Sequence, residues 1–255
     1  MIFQKSSDNW HGSSLHRLSG SGILQAPVQA LPQMSTAEIL TLSVGETAYQ
    51  RIRTDIVFGR IRPGQKLRLD RMKAEYGVGI STLREILTRL AAEGLVLAEG
   101  QRGFEVPPIT AQNLRELAEL RLVLESHALR RSFADGDMEW EGRVVAAHHK
   151  LEATEQRLLA GERETELWKR YDSEFHQALI SACGSRELMA AHASAFERYL
   201  RYLMIAFCFR GETAAAEHRA LRDAALARDA AHASEVLADH INGCIDFVAA
   251  QGDLW

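Results

Sequence analysis

Between Gly45 and Gly59 the apolar residues Ala48, Ile52, Ile56 and Val57 recur at helical spacing, which predicts an amphipathic helix. Arg62-Pro63-Gly64 breaks that pattern, and Lys66-Leu67-Arg68 follows as a short extended piece. Leu69 to Tyr76 reads as a second helix with Leu69, Met72 and Tyr76 on one side, closed by the turn Gly77-Val78-Gly79. Thr82 and Glu85 have the spacing of a capping box and predict the start of a third helix. Its apolar positions Leu83, Ile86, Leu87 and Leu90 leave Ser81, Arg84, Glu85 and Thr88 on or near the opposite face. After Gly94, the runs Leu95-Val96-Leu97 and Phe104-Glu105-Val106 flank Glu99-Gly100-Gln101-Arg102-Gly103, the pattern of a hairpin with a glycine-rich, basic tip.

Pro107-Pro108 marks a boundary, and beyond Thr110 the pattern is helical throughout. Amphipathic stretches cover about 111–134, 137–160, 164–184, 186–209, 212–228 and 230–250. Breaks such as Ala134-Asp135-Gly136, Cys183-Gly184-Ser185 and Arg210-Gly211 separate them. Six such helices predict a bundle. Residues 1–43 are rich in Ser, Gly, Gln and Pro and lack periodicity, so they are expected to form a disordered or partly ordered extension, with Met34 as the natural start. The expected organisation is therefore an extension (1–43), a three-helix and hairpin domain (44–107) and an all-helical domain (108–255). The fold class is mainly α.

Composition changes this picture little, but charge distribution does. The whole chain of 255 residues has a formal net charge of -4. Residues 44–106 hold eleven Lys and Arg against eight Asp and Glu, a local +3 that leaves -7 for the remainder. A basic module on an acidic body is compatible with contact to nucleic acid. Three cysteines with no CxxC pair argue against a disulfide framework or thiolate zinc site and for a reducing cytoplasm. No apolar run approaches the roughly 20 residues of a membrane span, so no membrane partner is expected.

Three helices followed by a hairpin is the order of a winged helix-turn-helix, in which a helix enters the major groove of DNA. Arg84 can pair with phosphate or guanine, Ser81 and Thr82 can donate to phosphates, and Gln101, Arg102 and Gly103 form a tip that can approach a backbone closely. The pieces Pro63-Gly64-Gln65-Lys66-Leu67, Tyr76 to Leu87, Arg89-Leu90-Ala91-Ala92-Glu93-Gly94-Leu95-Val96 and Gly100-Gln101-Arg102-Gly103-Phe104 resemble the GntR family of bacterial regulators. The resemblance implies DNA contacts at Arg84 and at the wing residues Gln101, Arg102 and Gly103. Two basic positions of the family fall on Ile80 and Asp70, which implies a different operator; Arg68, Arg71 and Lys73 are near enough to substitute.

In the second domain, Asp172 and His176 are four apart and share a helix face, while His218 and His240 lie on later helices. One carboxylate and three imidazoles can hold a divalent metal such as zinc, nickel or manganese, with positions left for water or a ligand carboxylate. The other five histidines (127, 148, 149, 192 and 232) read as solvated or hydrogen-bonded helix residues. Residues 111–249 resemble the all-helical effector domain of the FadR branch of the same family, through Leu117-x3-Arg121-x2-Leu124-Glu125, Asp172-x2-Phe175-His176, Glu217-His218-x2-Leu221 and Asp239-His240-Ile241. That resemblance implies that Asp172, His176, His218 and His240 are metal ligands, zinc foremost. It also implies that the metal anchors a small carboxylate effector and that Arg121 helps neutralise it. Arg198 and Arg201 are weaker candidates for the same role. A homodimer reading a pseudo-palindromic operator and repressing a catabolic operon would follow. Two rivals stand beside this: a metal-dependent hydrolase, and a regulator whose metal is structural only.

Overall fold

The computed structural model describes residues 43–98, Gly100 and residues 103–250. The N-terminal extension, except Ser43, and the wing residues Gln101 and Arg102 lie outside them.

The first helix, α1 (Val44–Val57), begins where the Ser43 hydroxyl accepts a bond from the Glu46 amide, satisfying an otherwise orphaned donor. Strand β1 (Lys66–Leu67) leads into α2 (Leu69–Tyr76), which Gly77 closes in the left-handed conformation that a side chain would disfavour. Helix α3 (Ile80–Ala92) starts two residues before the expected capping box. Its N-cap is Gly79 in an extended conformation, with no side-chain cap, so Thr82 and Glu85 sit inside the first turns and form no box. The Thr82 methyl carbon instead lies beside Gly45 of α1, 3.4 Å from where a β-carbon would stand.

Strands β2 (Leu97–Ala98) and β3 (Phe104–Glu105) form the wing hairpin. The strand β1 completes an antiparallel sheet in the order β1-β3-β2, pairing Leu67 with Phe104 and Ala98 with Phe104 across the register. Leu95 and Val96 precede the strand and are buried instead as core residues. The faces of α1 and α3 meet through Ile52, Ile56, Leu83, Leu87 and Leu90, all fully buried. Each such side chain contributes about 1.5–3 kcal/mol.

Six helices follow: α4 (Ala111–Asp135), α5 (Met138–Leu159), α6 (Thr165–Ile180), α7 (Arg186–Ile205), α8 (Glu212–Leu226) and α9 (Ala230–Ala249). The stretches expected to run to 184 and 209 end earlier. Ser185 caps α7 by accepting from the Leu188 amide, and Phe207 turns the chain after α7 with a positive φ of 47°. Trp140, Trp168, Phe175, Tyr199 and Leu237 build a second core.

Helix α7 belongs to both cores. Phe196 and Leu200 are buried with the residues of α1 and α3, while Tyr199, Tyr202 and Leu203 pack inside the bundle. Arg53 of α1 donates to Glu197 of α7 at 2.5 Å, and Arg201 donates to the carbonyl of Pro107 between the two parts.

Candidate metal centre and DNA-binding surface

Three helices of the bundle converge on one buried cluster. Asp172 and His176 come from α6 at the i, i+4 spacing, His218 from α8 and His240 from α9, each at most 2% exposed. One potential ligand atom from each lies within 4.8 Å of all the others. The ring centroids are 4.7 Å apart for His218 and His240, and 5.3 Å for His176 and His240.

Each imidazole is held from behind by a carboxylate. His176 Nδ1 lies 3.0 Å from Glu125 Oε2, His218 Nδ1 lies 2.6 Å from Glu155 Oε1, and His240 Nδ1 lies 2.8 Å from Glu217 Oε2. Such a partner fixes the tautomer, placing the proton on Nδ1 and directing the Nε2 lone pair away from it. The Nε2 atoms of His176 and His218 and Oδ1 of Asp172 are buried without a hydrogen-bond partner. His218 Nε2 and Asp172 Oδ1 are 3.3 Å apart but lack the alignment of a hydrogen bond. Buried polar atoms are nearly always satisfied, so a convergent orphan set is the mark of an ion site. The donor set fits a divalent cation: nitrogen and carboxylate oxygen ligands, oriented and dry.

The electrostatics divide the three imidazoles. Burial, together with the nearby Arg121, lowers the His176 pKa to about 3 and keeps the ring neutral, as a ligand must be. Burial also lowers His240. Burial opposes charge on His218 too, but the carboxylates of Asp172 and Glu155 beside it outweigh this and raise it to about 9, which favours a protonated ring until an ion displaces the proton. Burial would raise the Asp172 carboxyl; Lys169 and the surrounding imidazoles overcome it and hold it well below the ordinary range.

Around this cluster lies a wider set of buried polar groups. Arg121 is fully buried, bonded through Nε to Glu125 Oε1 at 2.5 Å, with its guanidinium 4.4 Å from the Phe196 ring centre. Its Nη1 and the Tyr199 hydroxyl have no hydrogen-bond partner. His192 joins the same network through Nε2, 2.7 Å from Glu125 Oε1. Glu125, Glu155, Glu217 and Lys169 had no role assigned from the sequence, while His192, expected as a solvated or hydrogen-bonded helix residue, is buried and bonded to Glu125. Glu125 was accessible from the sequence, because it lies four residues after Arg121 on one helix face; Glu155 carried no local signal. Arg201 serves the junction at Pro107, and Arg198 packs against Gly94. A groove of about 370 Å³ between α4 and α9 lies apart from the ligands, lined by Arg115, Leu122 and Ile245 among others.

The other expected site is a surface. Along α3, Ser81, Arg84 and Thr88 are exposed, whereas Thr82 is half-buried against α1. Arg84 forms no ion pair with the acids of the described residues, unlike Arg89, which pairs with Glu46 at 2.9 Å. Ile80 is exposed at the start of the helix. Arg68, Arg71 and Lys73 stand exposed on and before α2. Gly103 has a φ of 92°, which only glycine adopts without strain, and Gly100 also has a positive φ.

The model for bacterial regulatory proteins of the gntR family matches residues 44–106, and the FCD domain model matches residues 116–243. The chain belongs to the GntR family of bacterial transcription regulators. It is 39% identical over 214 residues to an HTH-type transcriptional regulator named BphR from Paraburkholderia xenovorans, covering 82% of this chain and 87% of the relative. It is 32% identical over 204 residues to the HTH-type transcriptional repressor GlaR of Escherichia coli, covering 76% of this chain and 90% of that one. The fold is shared with E. coli McbR/YncC, with a TM-score of 0.68, 17% identity and coverage of 83% and 99%. It is shared too with a GntR regulator from a Rhodococcus species, with a TM-score of 0.67, 23% identity and coverage of 82% and 99%. The relatives are transcription regulators rather than enzymes, which removes the hydrolase reading. No helix among the described residues is long and apolar enough to cross a membrane.

Proposed function

We propose that this GntR regulator is a cytoplasmic bacterial repressor, of the FadR branch, whose grip on DNA is set by a small carboxylate bound at a metal ion in the helical domain. Residues 44–107 bind operator DNA through Ser81, Thr82, Arg84, Gln101, Arg102 and Gly103; residues 108–255 form the sensor. The observation that carries the reading is the second layer of the metal cluster: three imidazoles, each backed by its own carboxylate, with orphaned Nε2 atoms on His176 and His218 facing an orphaned carboxylate oxygen. Asp172, His176, His218 and His240 hold the ion, zinc foremost, with nickel or manganese as alternatives. When bound, the ion supplies a Lewis-acidic anchor for a carboxylate oxygen. Arg121 offers its unpartnered Nη1 to the same ligand.

Repression rather than activation draws support from the relative named a repressor. A homodimer suits a pseudo-palindromic site, and α4 exposes Leu120 and Val123 on an outer face available to a second copy.

The test is fluorescence anisotropy on the DNA upstream of the protein's own gene against a scrambled duplex at fixed salt, with and without chelator and a panel of carboxylates. The expected result is specific binding that a carboxylate weakens only in metal-loaded protein. Specific binding untouched by any carboxylate, with chelation merely lowering the melting temperature, would show the metal to be structural.

A further inference from the structure

The leading turn of α3 carries an aliphatic side chain among polar ones. The Thr82 methyl lies beside Gly45 of α1, and the Thr88 hydroxyl donates to the Arg84 carbonyl of its own helix at 2.7 Å. Ser81, Arg84 and Glu85 are exposed polar groups, and Ile80 precedes them as the first residue of the helix.

By spacing, Ile80 continues the apolar row of Leu83, Leu87 and Leu90, yet those three are fully buried and Ile80 is 39% exposed. Its place explains the difference. Side chains on a helix lean towards its N-terminus, so a residue at the first position has no preceding turn beneath it and projects past the helix end. A single exposed aliphatic side chain is ordinary on a protein surface. This one stands at the end of a recognition helix whose residues meet base edges in the major groove.

The chemistry of the groove restricts what such a side chain can read. An aliphatic group neither donates nor accepts a hydrogen bond. Guanine, cytosine and adenine present donors and acceptors on their major-groove edges, and thymine alone adds a methyl group. Against a polar edge, Ile80 would strip water and return no hydrogen bond. Against the methyl group, apolar surface is buried on both sides. Arg84 is four residues further on and on the same side of the helix, about 6 Å along the axis, which is about two base-pair steps.

We propose that Ile80 is a specificity-determining residue that reads the 5-methyl group of a thymine in the operator, within about two base pairs of the contact made by Arg84. This rests on the reading of α3 as the helix that enters DNA.

The experiment uses the full chain and a pool of random duplexes. Bound duplexes are selected and sequenced for the wild type and for Ile80→Ala. The preferred wild-type duplex is then made with deoxyuridine in place of each thymine in turn, which removes the methyl group and keeps the base pair. Affinities are read by fluorescence anisotropy at fixed salt. A thymine is expected at one fixed position of each bound site for the wild type, and that preference should relax for Ile80→Ala. Deoxyuridine there should weaken wild-type binding about fourfold for each Ile80 in contact, the worth of one buried methylene group, and leave Ile80→Ala binding unchanged. Ile80→Ala should melt at the wild-type temperature. Selected sites without such a thymine, a thymine preference that Ile80→Ala retains, or a deoxyuridine penalty equal in the two proteins overturns the proposal. So does a marked fall in the melting temperature of Ile80→Ala, which would make the residue part of the core. If Arg84→Ala binds the selected duplex as tightly as the wild type, α3 does not enter DNA, and the reading of that helix fails together with this assignment.

Discussion

Arg84 and Arg121 are the same side chain in opposite surroundings. Arg84 projects from α3 into solvent, where water satisfies all of its donors and no acid of the described residues pairs with it. Arg121 is fully enclosed, so each of its interactions must come from the protein: Glu125 in its plane and the rings of Phe196 and Tyr199, 4.4 and 5.0 Å from its guanidinium carbon. An exposed arginine costs little to keep or to lose, and its value lies in what approaches it. A buried one is tied to a network whose members stand or fall together. The exposed face of α3 and the buried polar cluster of the bundle differ in the same way.

The largest effect separating the two regions should come from Glu125→Ala. It strips the counter-charge from Arg121 and the hydrogen-bond partner from His176 and His192 at once, inside a dry core. The expected loss is about 3–5 kcal/mol, as for other broken buried pairs, measured by urea unfolding of the metal-loaded protein. A loss under about 1 kcal/mol would mean that the chamber is wet and the comparison misplaced.

Next comes Arg84→Ala. Its folding stability should move by no more than about 0.5 kcal/mol, while operator binding weakens by about 1–3 kcal/mol. Equal losses on operator and scrambled DNA would make Arg84 a phosphate contact and leave base reading to other residues.

The smallest effect lies where the two regions meet. Arg53 faces two carboxylates, Glu197 at 2.5 Å and Glu93 at 3.7 Å, and Glu93 is also 3.5 Å from Arg89. Burial raises the Glu197 pKa to about 7; Arg53 opposes the rise and Glu93 adds to it. A carboxyl whose folded pKa lies above its unfolded value binds more protons when folded. Its contribution to stability is full below about pH 4.5 and is lost as pH rises towards 7. Between those limits the wild type should lose stability relative to Glu197→Gln by up to about 1 kcal/mol per pH unit. Parallel stability profiles for the two proteins would show that Arg53 neutralises Glu197 fully.

Much of the fold was legible because helical faces are local. Leu83, Ile86, Leu87 and Leu90 repeat with the period of an α-helix and are buried as that repeat requires. The start of α3 was misread for a local reason as well: the Thr82 and Glu85 spacing is real, but Gly79 can take the extended cap conformation and lets the helix begin earlier. Strand β1 was visible only as an extended piece, since its partner β3 lies nearly forty residues away.

The four clustered side chains could be named from their order along the chain and from family resemblance. Their orientation could not. Asp172 and His176 share a face by helical geometry alone, but Glu125, Glu155 and Glu217 back the three histidines from other turns and other helices. By itself, the sequence determined which residue types stand on which helix faces, because a helix imposes its period on any chain that forms it. Only the tertiary structure decided which carboxylate serves which imidazole, that Arg121 has its own counter-ion, and that Arg53 stands between Glu93 and Glu197. Those are matters of distance between segments far apart in sequence, and of a dry interior in which every charge has to find its partner from the protein or from what the protein binds.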